Sequence, residues 1–342
     1  MIISKITIDN CLYYHLHAEQ TITSAFVDSG NIGISEQLVN ETTLIKIIDD
    51  YSIYDEDKPE VLVLNFESTN AIQNNQISKI SQLKSLNSNL ILINVKKSLI
   101  KELTLLSLFN NSNNIIDEDG NFLVFNCFEA GKFQVIYSTQ EIFKTHFLNL
   151  LTEKDYIKSL EGQERYHASS SVYLSKWINI KKIISLDREF FLYAIYNLAI
   201  KTYQKWFKDL KTWGDDNKPI LVCQNLNSSY ITSILSTLLR TDIVILDQIG
   251  PINKMYSTLD SKIDNNKKYI VVSDLVCLGT EIKIAKSLIE FLGGKYLGNV
   301  SIVRIQTIDT NYRSFEDAES VFVIDKESNK KIGYEISTAI DL

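Results

Sequence analysis

Hydrophobic residues follow two patterns along the first part of the chain. Residues 2–8 and 11–17 alternate between apolar and polar positions, which predicts an antiparallel pair of strands at the start. Residues 60–66 and 89–95 are nearly continuous apolar runs, which are typical of strands buried on both faces. Strands that alternate with helices predict an α/β domain. The helices are expected at residues 35–50, 77–86 and 97–108, and a hairpin of strands at residues 122–126 and 133–137 with its turn at residues 129–132.

The second part of the chain predicts a larger sheet. Residues 219–223, 242–246 and 269–273 are apolar runs whose separation leaves room for helical crossover connections. Such connections join parallel strands, so we expect a mainly parallel α/β sheet with helices on both faces. Helices are expected at residues 187–210 and 280–292, and the last strand at residues 300–305.

The length of the chain predicts how many domains it has, and its net charge argues against one class of partner. A chain of 342 residues is longer than most single domains, so we expect a smaller α/β domain over residues 1–145 and a second one over residues 146–342. The boundary is expected on a connecting helix near residues 142–156. The net charge of −7 argues against a protein that binds nucleic acid by neutralising its phosphates.

The composition predicts a reduced, cytoplasmic protein. The first residues alternate like a strand and do not resemble a signal peptide, and no run of about 18 apolar residues predicts a membrane span. The four cysteines, Cys11, Cys127, Cys223 and Cys277, are far apart in the sequence. Because there are also only four histidines, a zinc site is not expected.

The residue types that can do chemistry are concentrated at residues 268–282. A buried strand there ends at Asp274, a short loop contains Gly279 and Thr280, and an amphipathic helix follows at once. A helix N-terminus offers unpaired N–H groups and partial positive charge, and glycine lets the backbone approach an anion closely. Asp274, at the end of its strand, is placed to bind sugar hydroxyls or a hydrated Mg²⁺ ion. We therefore predict a phosphate-binding loop over residues 273–280.

A plainer interpretation of these residues stays open. Asp274 can cap the next helix without binding a ligand, whereas Thr280 can cap the helix and donate its hydroxyl to a phosphate oxygen. Cys277, near a helix N-terminus, is either a thiol with a lowered pKa or, as we favour, a small buried loop residue. For Asp274 with Gly279 and Thr280 we favour ligand binding.

The segment resembles the signature of the type I phosphoribosyltransferases, especially that of the orotate enzymes. That signature is an apolar strand, two adjacent acids, a loop with threonine and glycine, and a helix. The resemblance implies that the loop amides hold the 5′-phosphate of phosphoribosyl pyrophosphate (PRPP) and that the protein is a homodimer. It also implies that Asp274 matches the second acid and serves catalysis at the ribose and at Mg²⁺. The phosphate-binding residues that it implies are Ser273, Asp274, Cys277, Leu278, Gly279 and Thr280.

Further segments follow the order of elements in that family. Residues 247–266 correspond to its mobile catalytic loop. Lys176 in a polar and aromatic stretch, and Arg304 in the last strand, are candidate contacts to a base. A solvated lysine and an ion-paired structural arginine are the alternative interpretations. Residues 224–229 correspond to the pyrophosphate loop, with hydrogen-bond donors at Asn225, Asn227, Ser228 and Ser229.

Departures from the signature leave three functions open. Ser273 replaces the first acid, and Cys277 and Leu278 replace hydroxyl residues of the loop. Residues 247–266 are poor in the basic side chains that stabilise a leaving pyrophosphate. The protein is therefore a divergent phosphoribosyltransferase that binds PRPP or a nucleotide, an inactive sensor of the same ligands, or an interaction subunit without chemistry. The sensor would signal through its N-terminal domain, and a protein partner is expected there.

The order of elements over residues 1–115 resembles that of the STAS domains of anti-anti-sigma factors. The resemblance implies a phosphorylatable hydroxyl after the third main strand, where Ser68 and Thr69 stand. The interpretation that we favour is a plain N-cap hydroxyl before the helix at residues 77–86.

Overall fold

Two compact units make up the chain: unit 1 is Met1–Phe147 and unit 2 is Leu148–Leu342. No helix in the part of the chain described below is long and apolar enough to cross a membrane. The computed structural model describes residues 2–27, 34, 38–54, 59–73, 77–105, 115–118, 121–125, 134–167, 172–210, 217–246, 263–306 and 317–338.

Unit 1 alternates strands and helices. Its strands are β1 (Lys5–Ile8), β2 (Cys11–His15), β3 (Leu38–Val39), β4 (Val61–Asn65), β5 (Ala71–Ile72), β6 (Leu90–Val95), β7 (Ile115–Glu118) and β8 (Asn121–Phe125). Its helices are α1 (Leu16–Val27), α2 (Glu41–Ser52), α3 (Ile77–Leu86), α4 (Lys97–Leu105) and α5 (Thr139–Glu153), which extends past the unit boundary. One mixed sheet has the order β1-β2-β4-β6-β8-β7, and β3 pairs with β5.

The central strands β2, β4 and β6 are parallel and buried on both faces, as their continuous apolar sequences predict. One face packs against α2, α3 and α4. On the other face, the Tyr13 hydroxyl accepts a hydrogen bond from the Ile136 amide (3.1 Å), and the Asn65 side chain donates to the Thr139 hydroxyl (2.5 Å). Residues just before and within the first turn of α5 therefore cover this face.

The structure of unit 1 differs from the prediction at its edges. The strand predicted at residues 11–17 ends at His15, and α1 begins at the next residue, Leu16. α1 buries polar side chains, Glu19 and Gln20 among them, so its sequence lacks the apolar period of a surface helix. β8 pairs with β6 and β7, and not with residues 134–137. Residues 134–137 do not form a strand, although Val135 is buried beside the sheet. The predicted turn at residues 129–132 lies outside the described residues.

The prediction that Ser68 and Thr69 cap α3 is wrong. Both residues lie in the turn after β4, where the Thr69 amide donates to the Phe66 carbonyl at 2.8 Å. β5, paired with β3, then separates this turn from α3. Thr69 is fully buried. Modification of either hydroxyl, and the STAS resemblance, stay predictions.

Unit 2 combines a parallel sheet with two small antiparallel ones. Its strands are β9 (Ile157–Ser159), β10 (Tyr166–His167), β11 (Val172–Leu174), β12 (Lys176–Ile178), β13 (Ile220–Cys223), β14 (Ile243–Ile245), β15 (Lys268–Val276), β16 (Lys295–Ile305), β17 (Ala318–Ile324) and β18 (Ile336–Thr338). Its helices are α6 (Ile180–Leu186), α7 (Arg188–Thr202), α8 (Leu226–Leu239), α9 (Thr280–Phe291) and α10 (Lys326–Ile332).

The five-stranded sheet of unit 2 is parallel throughout and has the order β14-β13-β15-β16-β17. Tyr269 and Val271 of β15 pack with α9 on one face. Ile270 and Val272, which point the opposite way along the strand, are equally buried, and α7 and α8 pack against each other and against the strands there. The predicted parallel α/β sheet with helices on both faces is therefore confirmed.

The strands β9 to β12, called the hood below, form antiparallel pairs outside the main sheet: β9 with β12, and β10 with β11, which also pairs with β18. The helix predicted at residues 187–210 is shorter than expected, because α7 ends at Thr202 and a π-helical turn follows at Tyr203–Phe207. Asp187 stands at the N-cap of α7, but its carboxylate accepts hydrogen bonds from Lys154 (2.7 Å) and Tyr156 and does not cap the helix.

We expect unit 1 to lose stability in mild acid because of His15. The side chain is buried at the end of β2 (5% exposed), and burial, together with the nearby His17, lowers its pKa to about 3. Below about pH 6.5 the unfolded chain takes up a proton that the folded chain does not, so stability falls as the pH drops from there toward 3. Between pH 7 and pH 5 the loss should be about 2 kcal/mol.

Urea unfolding followed by circular dichroism at pH 7 and pH 5 measures this loss. Tryptophan fluorescence serves as the reference for unit 2, because Trp177, Trp206 and Trp213 all lie there. His15→Gln cannot titrate and should remove most of the pH difference. An equal loss in the variant would show that another group is responsible.

Candidate functional site

A cavity of about 490 Å³ opens in unit 2 at the carboxyl ends of β13 and β15. The chain order of the strands reverses at this edge, because β14 lies on one side of β13 while β15 to β17 lie on the other. Ligands of open parallel sheets bind at such a switch point. The cavity is lined by residues 172, 174, 177–181, 225–227, 273–282 and 334.

The residues predicted to form a pyrophosphate loop close the start of α8. The Asn225 side chain accepts the Ser228 amide (2.8 Å), and the Ser228 hydroxyl accepts the amides of Gln224 (3.2 Å) and Asn225 (3.0 Å). The Ser229 hydroxyl donates to the Asn225 carbonyl (2.9 Å). These contacts form a capping box and its extension, so the two serine hydroxyls stabilise the helix. Asn225 and Asn227 line the cavity, whereas Ser228 and Ser229 do not.

Asn227 connects the first turn of α8 to the carboxylate of Asp274. Its Nδ2 donates to Asp274 Oδ2 at 2.8 Å, and both half-buried side chains line the cavity. The two residues are far apart in the sequence, and the parallel pairing of β13 with β15 brings them to the same edge. The carboxylate and the amide oxygen form a polar pair suited to hydroxyl groups or to a hydrated cation.

The strand before the loop is longer than predicted. β15 pairs with β16 as far as Val276, which lies opposite Arg304, so Ser273 and Asp274 are strand residues. The loop between β15 and α9 is therefore residues 277–279, not residues 273–280. The reason is the length of β16, which continues to Ile305 and satisfies the backbone groups of β15 beyond Asp274.

Gly279 is the N-cap residue of α9 and adopts a left-handed conformation (φ 70°, ψ 18°). Glycine reaches this conformation without the steric cost that a Cβ atom imposes. No side chain in the described part of the chain caps α9. The prediction that Thr280 caps the helix is thus wrong, because Thr280 is already its first helical residue. The first-turn amides of α9 lie at the cavity, where an anion can reach them.

Lys176 and Arg304, the candidate base contacts, do not line the cavity. The Lys176 ammonium donates to the Ile332 carbonyl and so holds the C-terminal segment of the chain. Arg304 is half-buried in β16; burial lowers its pKa, and the negative charge of Glu319 partly offsets this. The interactions of both residues are therefore with other parts of the fold. The predicted mobile loop lies outside the described residues from 247 to 262.

The cavity also contains residues that the sequence pattern did not single out. Trp177 of the hood (39% exposed) and Leu226 at the start of α8 (79% exposed) form an apolar wall. Tyr334 lines the cavity as well, and no local signal identifies it, because its place depends on the C-terminal segment folding back.

Cys277, the first loop residue, is not an activated thiol. Burial raises its pKa to about 11, although a hydrogen bond with the Tyr334 hydroxyl partly opposes this. The favoured interpretation predicts a small buried loop residue; Cys277 does lie in the loop, but it is half-buried.

We expect Cys277 to resist alkylation in the folded protein. At pH 8 its thiolate fraction should be about 100-fold below that of an exposed cysteine, because the thiolate is the reactive form. Iodoacetamide labelling followed by peptide mass spectrometry measures the rate for each cysteine separately. The same chain in urea is the control, and labelling at equal rates in both states would contradict the raised pKa.

Comparisons with known proteins found similar solved structures over about half of the chain. No protein-family model matches the sequence, and no curated protein matches it. Among solved structures, orotate phosphoribosyltransferase from Aeropyrum pernix is similar at 13% identity over 55% of this chain and 98% of that one, with a TM-score of 0.40. Adenine phosphoribosyltransferase from Rhodothermus marinus is similar at 15% identity over 51% and 97% of the two chains, with a TM-score of 0.36. The enzyme of the same name from Thermoanaerobacter pseudethanolicus follows at 17% identity over 43% and 88%, with a TM-score of 0.33.

Proposed function

We propose that unit 2 binds the phosphate and the ribose of PRPP or of a nucleotide in the cavity between β13 and β15. The observation that supports this best is the left-handed Gly279 at the uncapped start of α9, in the same cavity as the Asn227–Asp274 pair. Backbone N–H groups that can donate hydrogen bonds to an anion and a polar pair that can bind hydroxyl groups thus line the same cavity. Ribose phosphates present both an anion and hydroxyls.

The phosphate would sit over residues 277–280. α9 is twelve residues long, so its aligned peptide dipoles place partial positive charge at its first turn. Gly279 lets the backbone come close to the anion, and Thr280 adds a hydroxyl donor. Cys277 and Leu278 would contribute their backbone amides, since neither side chain is a strong donor.

The ribose hydroxyls would bind at Asp274 and Asn227. A Mg²⁺ ion fits the same carboxylate, because Mg²⁺ keeps several waters and takes one or two carboxylates together with the ligand's phosphates. The described residues contain no group of three or more His, Cys, Asp or Glu side chains placed to hold a metal ion. Asp274 would therefore hold the ion through water and together with oxygens of the ligand, whose negative charge the ion would offset.

Phosphoribosyl transfer is the activity that we propose for this ligand. A nitrogen of a base would form a bond to the anomeric carbon of PRPP and lose its proton to water. The bond from that carbon to pyrophosphate would break, with its electron pair leaving on pyrophosphate. Among the described residues that line the cavity, Lys181 is the one cation. Stabilising the leaving group would thus depend mainly on Mg²⁺, while Asp274 positions the ribose.

Asp274→Asn should weaken the binding of PRPP in the presence of Mg²⁺ by about tenfold, because the carboxamide keeps the shape of the side chain but loses its charge. Isothermal titration calorimetry with PRPP and with nucleoside monophosphates, with and without Mg²⁺, measures the effect. Asp242→Asn is the matched control, since it removes an exposed carboxylate at the opposite, amino end of the strands. No binding by the wild-type chain, or equal binding by all three proteins, would rule out the proposed site.

Pyrophosphate release separates transfer from binding alone. The assay contains PRPP, Mg²⁺ and a panel of purine and pyrimidine bases. We expect the wild-type chain to release pyrophosphate and Asp274→Asn to release it at a rate lower by about tenfold or more. A coupled pyrophosphatase assay follows the reaction. PRPP binding in the calorimeter without release for any base would refute transfer and leave a ligand-binding protein.

A further inference from the structure

The C-terminal segment, residues 325–338, returns to the cavity of unit 2. Asp325 caps α10 by accepting the Ser328 amide (2.8 Å), and Gly333 ends the helix in a left-handed conformation (φ 65°). The turn at Gly333 directs the next residue, Tyr334, into the cavity wall. With 1% of its surface exposed, Tyr334 is among the most buried large side chains of the chain.

The backbone of Tyr334 is fixed on both of its polar groups by Asn329. The Asn329 side chain donates to the Tyr334 carbonyl (2.9 Å) and accepts the Tyr334 amide (2.7 Å). The next residue, Glu335, exchanges hydrogen bonds with Ser175 of the hood: its carbonyl accepts the Ser175 amide (3.0 Å) and its amide donates to the Ser175 hydroxyl (2.7 Å). Tyr334 is therefore held between α10 and the hood.

The side chain of Tyr334 reaches the loop proposed to bind phosphate. Its hydroxyl lies 3.8 Å from the sulfur of Cys277, the first residue of that loop. Burial raises the pKa of Tyr334 far above its usual value and that of Cys277 to about 11, so both groups stay neutral near pH 7. The tyrosine hydroxyl thus limits where Cys277 can sit, and it places no charge next to the ligand.

We propose that Tyr334 is a positioning residue for residues 277–279, through which the C-terminal segment controls the affinity of the site for phosphate. The proposal rests on the proposed function, because it needs a ligand at this loop. Tyr334 acts through Cys277, and Asn329 in turn acts through Tyr334.

Coupling of this kind works in both directions. If ordered residues 334–338 place the loop correctly, then a ligand on the loop stabilises these residues by the same free energy. Ligand binding should therefore slow hydrogen exchange of the backbone amides of β18 and of Tyr334. The slowing should exceed that of amides elsewhere in the unit, because a bound ligand also slows exchange by global unfolding throughout the unit.

Calorimetric titration with ribose 5-phosphate, at a temperature where every variant is folded, tests the proposal. Tyr334→Ala should bind roughly tenfold more weakly than the wild type, the loss expected when one hydrogen bond to a charged group is misaligned. Tyr334→Phe keeps the ring but loses the hydroxyl that contacts Cys277, so its affinity should lie between those of the wild type and of Tyr334→Ala. Asn329→Ala should weaken binding in the same direction, and it covers the case in which Tyr334→Ala does not fold.

Tyr196→Ala is the matched control. Tyr196 of α7 is as buried as Tyr334 and belongs to the same unit but does not line the cavity, so its loss should lower the melting temperature and leave the affinity unchanged. If the wild type binds ribose 5-phosphate and Tyr334→Ala and Asn329→Ala bind it equally well, the role of Tyr334 is refuted while the proposed function stands. If the wild type does not bind, both are refuted. Ligand-independent exchange at residues 334–338 would also refute the coupling.

Discussion

β15 is hydrogen-bonded to parallel strands on both of its edges, and the arrangement of unit 2 depends on this pairing. Residues from Tyr269 to Ser273 are buried, so their backbone groups have to be paired within the sheet. Pairing with β13 aligns the carboxyl ends of the two strands and places Asp274 next to Asn227. Pairing with β16 extends the strand to Val276 and shortens the following loop to residues 277–279.

The two helices that begin at this edge differ in how their N-termini are capped. α8 is closed by Asn225 and Ser228, which satisfy each other's backbone amides. α9 begins at the left-handed Gly279, and no described side chain caps it. Unpaired amides at a helix start need an acceptor, which water or an anion can provide. The contrast explains why we place an anion at α9 and assign the serines beside α8 to the stability of that helix.

The remaining walls of the cavity come from parts of the chain outside the main sheet. Trp177 arrives on the hood and Tyr334 on the C-terminal segment, and the hood and that segment are paired through β11 and β18. Lys176 donates to the Ile332 carbonyl and strengthens the same connection. A lysine that resembled a ligand contact in the sequence therefore holds together the structure around the cavity.

The sequence by itself determined the buried strands, the parallel sheet and the position of the loop, because apolar runs, crossover lengths and the Gly279-Thr280 pair are local features. It could not determine the end of β15, which depends on the length of β16, or the use of Ser228 and Ser229 as caps. Nor could it place Lys176, Arg304 or Tyr334, because long-range packing decides which side chains meet. The sequence did not predict α1, because this helix buries polar side chains and so lacks the apolar period of a surface helix. Local chemistry thus predicted the core of the candidate site, and only the tertiary structure decided which other residues surround it.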